Sequence, residues 1–169
     1  LIAAARRALS GETIAAALAG DLFARVGLED LEQYSAAELA AFARSAAGLL
    51  AERRPGRDLV RLADIAVSGG ETVTVVEILT DDMPFLVDSV MAELQQSGCR
   101  VLLLAHPIVS VRRDRRGRLT DYLGTAPAER PAIRESLIQV HVAEIAFEAE
   151  RDALAGRLRQ VLADVAAAV

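Results

Sequence analysis

The stretch Asp81-Asp82-Met83-Pro84-Phe85-Leu86-Val87-Asp88-Ser89 gathers carboxylates, a hydroxyl and a proline at one point of the chain. The β-branched run Thr72 to Thr80 precedes it, and Val87, Val90, Met91 and Leu94 repeat at helical spacing after it. The stretch therefore joins the end of a strand to the start of a helix. Carboxylates placed there complement the positive end of the helix dipole and accept its free N–H groups. The same place favours a small ligand carrying an ionised group. Asp81, Asp82, Met83, Pro84, Phe85, Asp88 and Ser89 are accordingly the candidate ligand-binding residues. In the structural alternative Asp81 and Asp82 cap the helix, Pro84 stands near its first position and Phe85 fills space beneath the sheet.

Other chemistry is poorly supplied. The sequence contains no GxGxxG, GxxxxGK[ST], GxSxG or HExxH. His106 and His141 fall on separate predicted strands with no CxxC or third imidazole near, so metal is not expected and satisfied strand histidines are. Cys99 follows the helix-ending Gly98 and reads as a small buried hydrophobe. Arg112, Arg113, Arg115, Arg116 and Arg118 crowd one predicted turn. That run reads as a solvated hairpin, with an anionic-ligand role as the minor alternative. All 19 basic residues are arginine, so no Schiff-base or P-loop lysine is available.

The elements that must position these residues follow from composition and period. The chain has 169 residues, 53% hydrophobic and 25% charged, which excludes long disorder. The uninterrupted apolar runs, Val101 to Ala105 among them, are no longer than six residues, so no membrane span is expected. A net charge of −5 with few aromatics argues against nucleic acid as a partner. A single cysteine makes a reducing, cytoplasmic setting the simplest reading. The chain begins at Leu1 without a signal-peptide pattern and reads as part of something longer.

Residues 1–57 are alanine-rich and helical in composition. Ile14, Leu18 and Leu22 form one stripe; Ser35 and Glu38 form a capping box with Tyr34 and Leu39 at the staple positions. Arg53-Arg54-Pro55-Gly56 ends that segment, and 58–169 reads as a separate α/β domain. Its predicted order is a short strand at Leu59 to Val67, a strand at Thr72 to Thr80 and a helix. A long strand from Arg100 to Arg113, broken at His106-Pro107, comes next. A short strand at Leu119 to Leu123, another at Leu137 to Ile145 and a helix from Phe147 close the chain. The expected fold is α/β (α+β): a ferredoxin-like sandwich with an antiparallel sheet, and a final strand expected beyond Val169. Both helices of that domain fall on one face of the sheet. The other face needs the N-terminal helices, a second copy or more chain to cover it.

Thr80 to Val90, with His106-Pro107-Ile108, Val111 to Asp114 and Gly117-Arg118-Leu119, resembles the N-terminal region of the large bacterial NAD-dependent glutamate dehydrogenases. The resemblance implies an ACT-like module ahead of a catalytic domain, in a parent that deaminates L-glutamate oxidatively to 2-oxoglutarate with NAD. This segment would carry neither the chemistry nor the cofactor, since it lacks a dinucleotide fingerprint and substrate-binding lysines. ACT domains that bind amino acids typically place a glycine after the loop proline, where Phe85 stands here. That departure favours a regulatory and assembly role over an amino-acid sensor at Asp81 to Ser89. The expected partners are the rest of the parent chain and a second copy, with an amino-acid effector in the sensor alternative.

Overall fold

The computed structural model describes residues 1–169. Four helices come first: α1 (Ile2–Ala8), α2 (Thr13–Phe23), the short α3 (Leu28–Glu32) and α4 (Ala36–Leu50). The α4 start is the expected capping box, with Ser35 Oγ accepting from the Glu38 amide at 3.1 Å and Glu38 accepting from the Ser35 amide at 2.8 Å. The α2 stripe is buried through Leu18 and Leu22, while Ile14 is exposed. The strands and remaining helices follow as β1 (Leu59–Val67), β2 (Glu71–Asp81), α5 (Leu86–Gln96), β3 (Val101–Ala105), β4 (Ile108–Arg113), β5 (Leu119–Tyr122), β6 (Ile133–Ala143) and α6 (Glu148–Ala168).

All strand pairs are antiparallel, in the order β1-β2-β6-β4-β5, with β3 also on β6. β3 and β4 are one line broken by a proline. Ala105 faces Gln139 and Ile108 faces Ser136, the same register on either side of His106-Pro107. The Leu137 amide donates to the Pro107 carbonyl at 3.0 Å, but proline has no N–H to return the bond. The β2–α5–β3 crossover brackets β6, as a split βαβ unit does. The expected fourth strand is supplied from the other direction. β1, which precedes the unit, lies along β2 and takes the place expected for a strand beyond Val169. The fold is a ferredoxin-like α/β sandwich.

Side-chain alternation divides the sheet between two cores. Val76, Ile78, Ile138, Val140 and Val142 pack with Leu86, Val90 and Leu94 of α5 and with Leu154, Leu158 and Leu162 of α6. Val73, Val75, Leu79, Leu137 and Val109 pack with Leu18, Leu22, Phe42 and Leu50 of the N-terminal helices. Those helices are the cover that the doubly apolar strand β2 requires, and they share one core with it. An open sheet face is therefore no ground for self-association. Phe147, expected as the start of the closing helix, instead precedes α6 and is exposed.

Candidate functional site

Where β2 ends, β6 begins, and Asp81 stands opposite Glu135 in the register. Consecutive residues of β6 project to opposite faces, so Glu135 and Ser136 anchor two different polar clusters.

Glu135 points toward the N-terminal helices and is wholly buried between two arginines. Arg113 meets it along both edges of the carboxylate, Nε to Oε2 at 3.1 Å and Nη2 to Oε1 at 2.7 Å. Arg53 Nη1 donates to Glu135 Oε2 at 2.7 Å and to Asp81 Oδ1 at 3.0 Å, and its Nε donates to the Arg57 carbonyl at 2.6 Å. Burial opposes the charge on Arg53, but its bonds to Glu135 and Asp81 outweigh that and hold its pKa above the ordinary arginine value. The residue sits just past α4 because the chain there is clamped to the β4–β5 turn. The Arg53 amide donates to the Gly117 carbonyl at 2.9 Å, and the Leu119 amide donates to the Ala51 carbonyl at 2.9 Å. The arginine-rich turn is therefore a joint and not only a solvated hairpin: the Arg113 side chain is 3% exposed and Gly117 is buried.

Ser136 points to the α5 side. Its Oγ donates to Asp82 Oδ1 at 3.0 Å and lies 3.3 Å from His106 Nε2. With the hydroxyl proton committed to Asp82, the histidine contact is a donation to Ser136. A nucleophilic serine needs the opposite direction, in which the imidazole accepts its proton. Burial lowers the His106 pKa, against a smaller opposing pull from Asp82.

The candidate loop thus divides. Asp81 and Asp82 do not cap α5, which has no side-chain cap at all; each is drawn to its own cluster. The helix begins at Leu86, so Pro84 lies before its first turn. Phe85 fills nothing: it is 72% exposed, and its φ of +68° makes it the single non-glycine residue in the left-handed region. Asp88 is exposed in the first turn of α5, while Ser89 is half-buried and donates its amide to the Phe85 carbonyl at 3.1 Å. Met83 packs against the α5–α6 core. An open cleft of about 530 Å³ takes in Asp81 and Asp82 with Arg130 and Arg134, but no other residue of the candidate loop.

A second interior network runs above the first on the same face. Glu77 accepts from Arg61 Nη2 at 2.8 Å, Ser45 Oγ at 2.8 Å and Gln139 Nε2 at 3.0 Å. Gln139 uses its amide nitrogen also on the Phe42 carbonyl, so its oxygen must accept from His141 Nε2 at 2.9 Å. His141 Nδ1 is then an acceptor for the Tyr34 hydroxyl at 3.1 Å. Burial pushes His141 down to about 3 and Tyr34 up to about 12, with Glu38 and Asp30 adding to the latter. The sequence reading missed Arg53, Arg113, Glu135, Glu77 and Gln139. The signal was the recurrence of Glu135, Gln139 and His141 on one face of an otherwise apolar strand. No group of His, Cys, Asp or Glu is placed to hold a metal ion, and no helix is long and apolar enough to cross a membrane.

An antiparallel ferredoxin-like sheet, with a helix pair on one face and polar ties to a helical layer on the other, defines an ACT-like α/β module. The family model "Glutamate dehydrogenase, ACT1 domain" matches residues 18–158, and the chain belongs to that family. It is 33% identical over 150 residues to the NAD-specific glutamate dehydrogenase of Halomonas elongata and 32% identical over 150 residues to that of Pseudomonas aeruginosa. Each match covers 87% of this chain and 9% of the relative, so the chain corresponds to about a tenth of those proteins' length. No solved structure matches it.

Proposed function

We propose that the chain is a non-catalytic regulatory and assembly domain of a large NAD-dependent glutamate dehydrogenase. The parent would deaminate L-glutamate oxidatively to 2-oxoglutarate with NAD in the cytoplasm. The family match, which runs through both the helical layer and the sheet, carries this reading. The interior chemistry supports it, because Glu135, Glu77, Gln139, His141 and Ser136 are each committed to internal hydrogen bonds. The β2–α5 turn also fits NAD poorly. It has two carboxylates and no glycine, whereas a pyrophosphate wants close backbone approach and no like charge. NAD would bind elsewhere in the parent. The docking partner would be the rest of that chain or a second copy, with exposed Phe85 as a contact.

Phe85 also supports a second reading, a small-molecule sensor. Its left-handed backbone keeps the shape a glycine would give this loop, and strain of that kind clusters at ligand sites. The test deletes this segment from a parent enzyme and measures glutamate-dependent NADH formation, oligomeric state and response to amino acids. Retained chemistry with altered assembly or response is expected. Turnover by the segment alone, or a parent unchanged in both properties, would overturn the proposal.

A further inference from the structure

We propose that the cleft beside Arg53, Arg54 and Arg57 binds a small oxyanion carrying two or more charges, such as a phosphate or a dicarboxylate. The cleft is about 470 Å³ and is lined by Glu52, those three arginines and Leu59. Glu52 is the one carboxylate in the lining, and the guanidinium group of Arg53 is buried at its edge. Arg54 and Arg57 are exposed, and neither forms an ion pair or donates a side-chain hydrogen bond.

The second observation lies at the root of the cleft. The Arg53 side chain is 1% exposed, and its Nη2 is the one buried side-chain polar atom in the chain without a hydrogen-bond partner. An unpartnered buried donor is costly in a native protein, more so when charged. Covalent geometry gives its direction. In a guanidinium, Nη2 shares an edge with Nε, the fork that meets a carboxylate in bidentate pairs. On Arg53 that Nε is turned to the Arg57 carbonyl, while Nη1 is turned to Asp81 and Glu135. The free donor therefore lies on the edge turned to Arg57, a residue that also lines the cleft. An oxyanion held by the two exposed arginines and entering the base of the cleft would give Nη2 its missing acceptor. Arg53 is already paired with Glu135 and Asp81, and the two unpaired guanidinium groups of Arg54 and Arg57 can each take one charge of a doubly charged oxyanion. The site adjoins the Asp81 to Ser89 loop through the Arg53–Asp81 ion pair but does not depend on the regulatory reading.

The test is thermal melting of the 169-residue chain with inorganic phosphate and, separately, succinate, at ionic strength held constant with sodium chloride. A saturable rise of a few degrees with at least one of them is expected, because a ligand bound to the folded state alone stabilises by mass action. Arg54→Gln/Arg57→Gln, both exposed, should need about 10-fold more anion for the same shift, the loss expected for charge-assisted hydrogen bonds. Arg115→Gln/Arg116→Gln in the hairpin should respond as the unsubstituted chain does. No shift beyond the sodium chloride control would overturn the proposal. So would an undiminished shift in the Arg54/Arg57 variant, or a shift lost in the hairpin variant.

Discussion

Gly117 lies against the backbone of Arg53 so closely that a Cβ built on it would stand 2.4 Å from the Arg53 carbonyl oxygen. The same glycine accepts from the Arg53 amide and from Arg113 Nη1, so it is the point where the hairpin and the end of α4 are pinned together. Its φ is +85°, which adds a conformational demand to the steric one.

Gly117→Ala should therefore be among the most harmful single-methyl changes in the chain. Left-handed strain and a backbone clash together predict a loss of about 2 to 5 kcal/mol. Gly69→Ala is the control, because its φ is +81° but nothing lies within 4 Å of the added Cβ. It should lose only about 1 to 2 kcal/mol. Urea midpoints at unchanged slope measure both. Equal losses would show that the contact with Arg53 is relaxed and not rigid.

The cluster beneath that joint has one carboxylate that cannot be spared. Glu135→Gln leaves the buried guanidinium groups of Arg53 and Arg113 without their shared counter-charge, and should lose about 3 to 5 kcal/mol. Asp81 is 65% exposed and bonds only Arg53, so Asp81→Asn should lose less than about 1 kcal/mol. Chemical denaturation of the two variants gives the comparison. A loss at Asp81 equal to that at Glu135 would mean that Asp81, and not Glu135, is the main counter-charge to Arg53.

His141 makes the chain acid-sensitive in a definite window. Its folded-state pKa of about 3 lies below the ordinary value of 6.5, so folding favours the neutral ring. Its contribution is full above about pH 6.5 and is lost as pH falls toward about 3. The lowered carboxyl groups of Glu12, Glu38 and Asp114 lose stability in the same direction, so the variant must be read as a difference. The gap in unfolding free energy between the unsubstituted chain and His141→Leu should narrow as pH drops from 7 to 4. A gap constant with pH would show that the ring is not held neutral by burial.

Much of this architecture was readable from pattern alone. The Ser35–Glu38 box, the β-branched β2 and the broken line at His106-Pro107 are local signals, and each is visible in a few adjacent residues. The Arg53–Glu135 pair is not, because the two are 82 residues apart and Arg53 reads locally as part of a helix stop. Likewise the place of β1 is a choice of sheet edge, which no periodicity within Leu59 to Val67 encodes. The candidate loop lies between β2 and α5 as expected, but the structural alternative for Asp81, Asp82 and Phe85 fails. Capping and space-filling looked like local roles, and the long-range partners Arg53 and Ser136 took Asp81 and Asp82 instead.

Phe85 is where the sequence expectation and the structure differ most in consequence. A ring buried beneath the sheet would lose about 3 to 5 kcal/mol on truncation to alanine. The ring is 72% exposed, so Phe85→Ala should change stability by no more than about 0.5 kcal/mol. Phe85→Gly should go further. At φ +68° the Cβ of any other residue is strained by about 1 to 2 kcal/mol, and glycine removes that strain while adding freedom to the unfolded chain. The two effects oppose, and the net expectation is a gain of up to about 1 kcal/mol, seen as a higher melting temperature of the isolated chain. In the parent enzyme the same variant should weaken assembly or effector response if the phenyl ring is a contact there. A loss above about 1 kcal/mol for Phe85→Gly in the isolated chain would show that the ring is packed in solution, and would remove it as a docking residue.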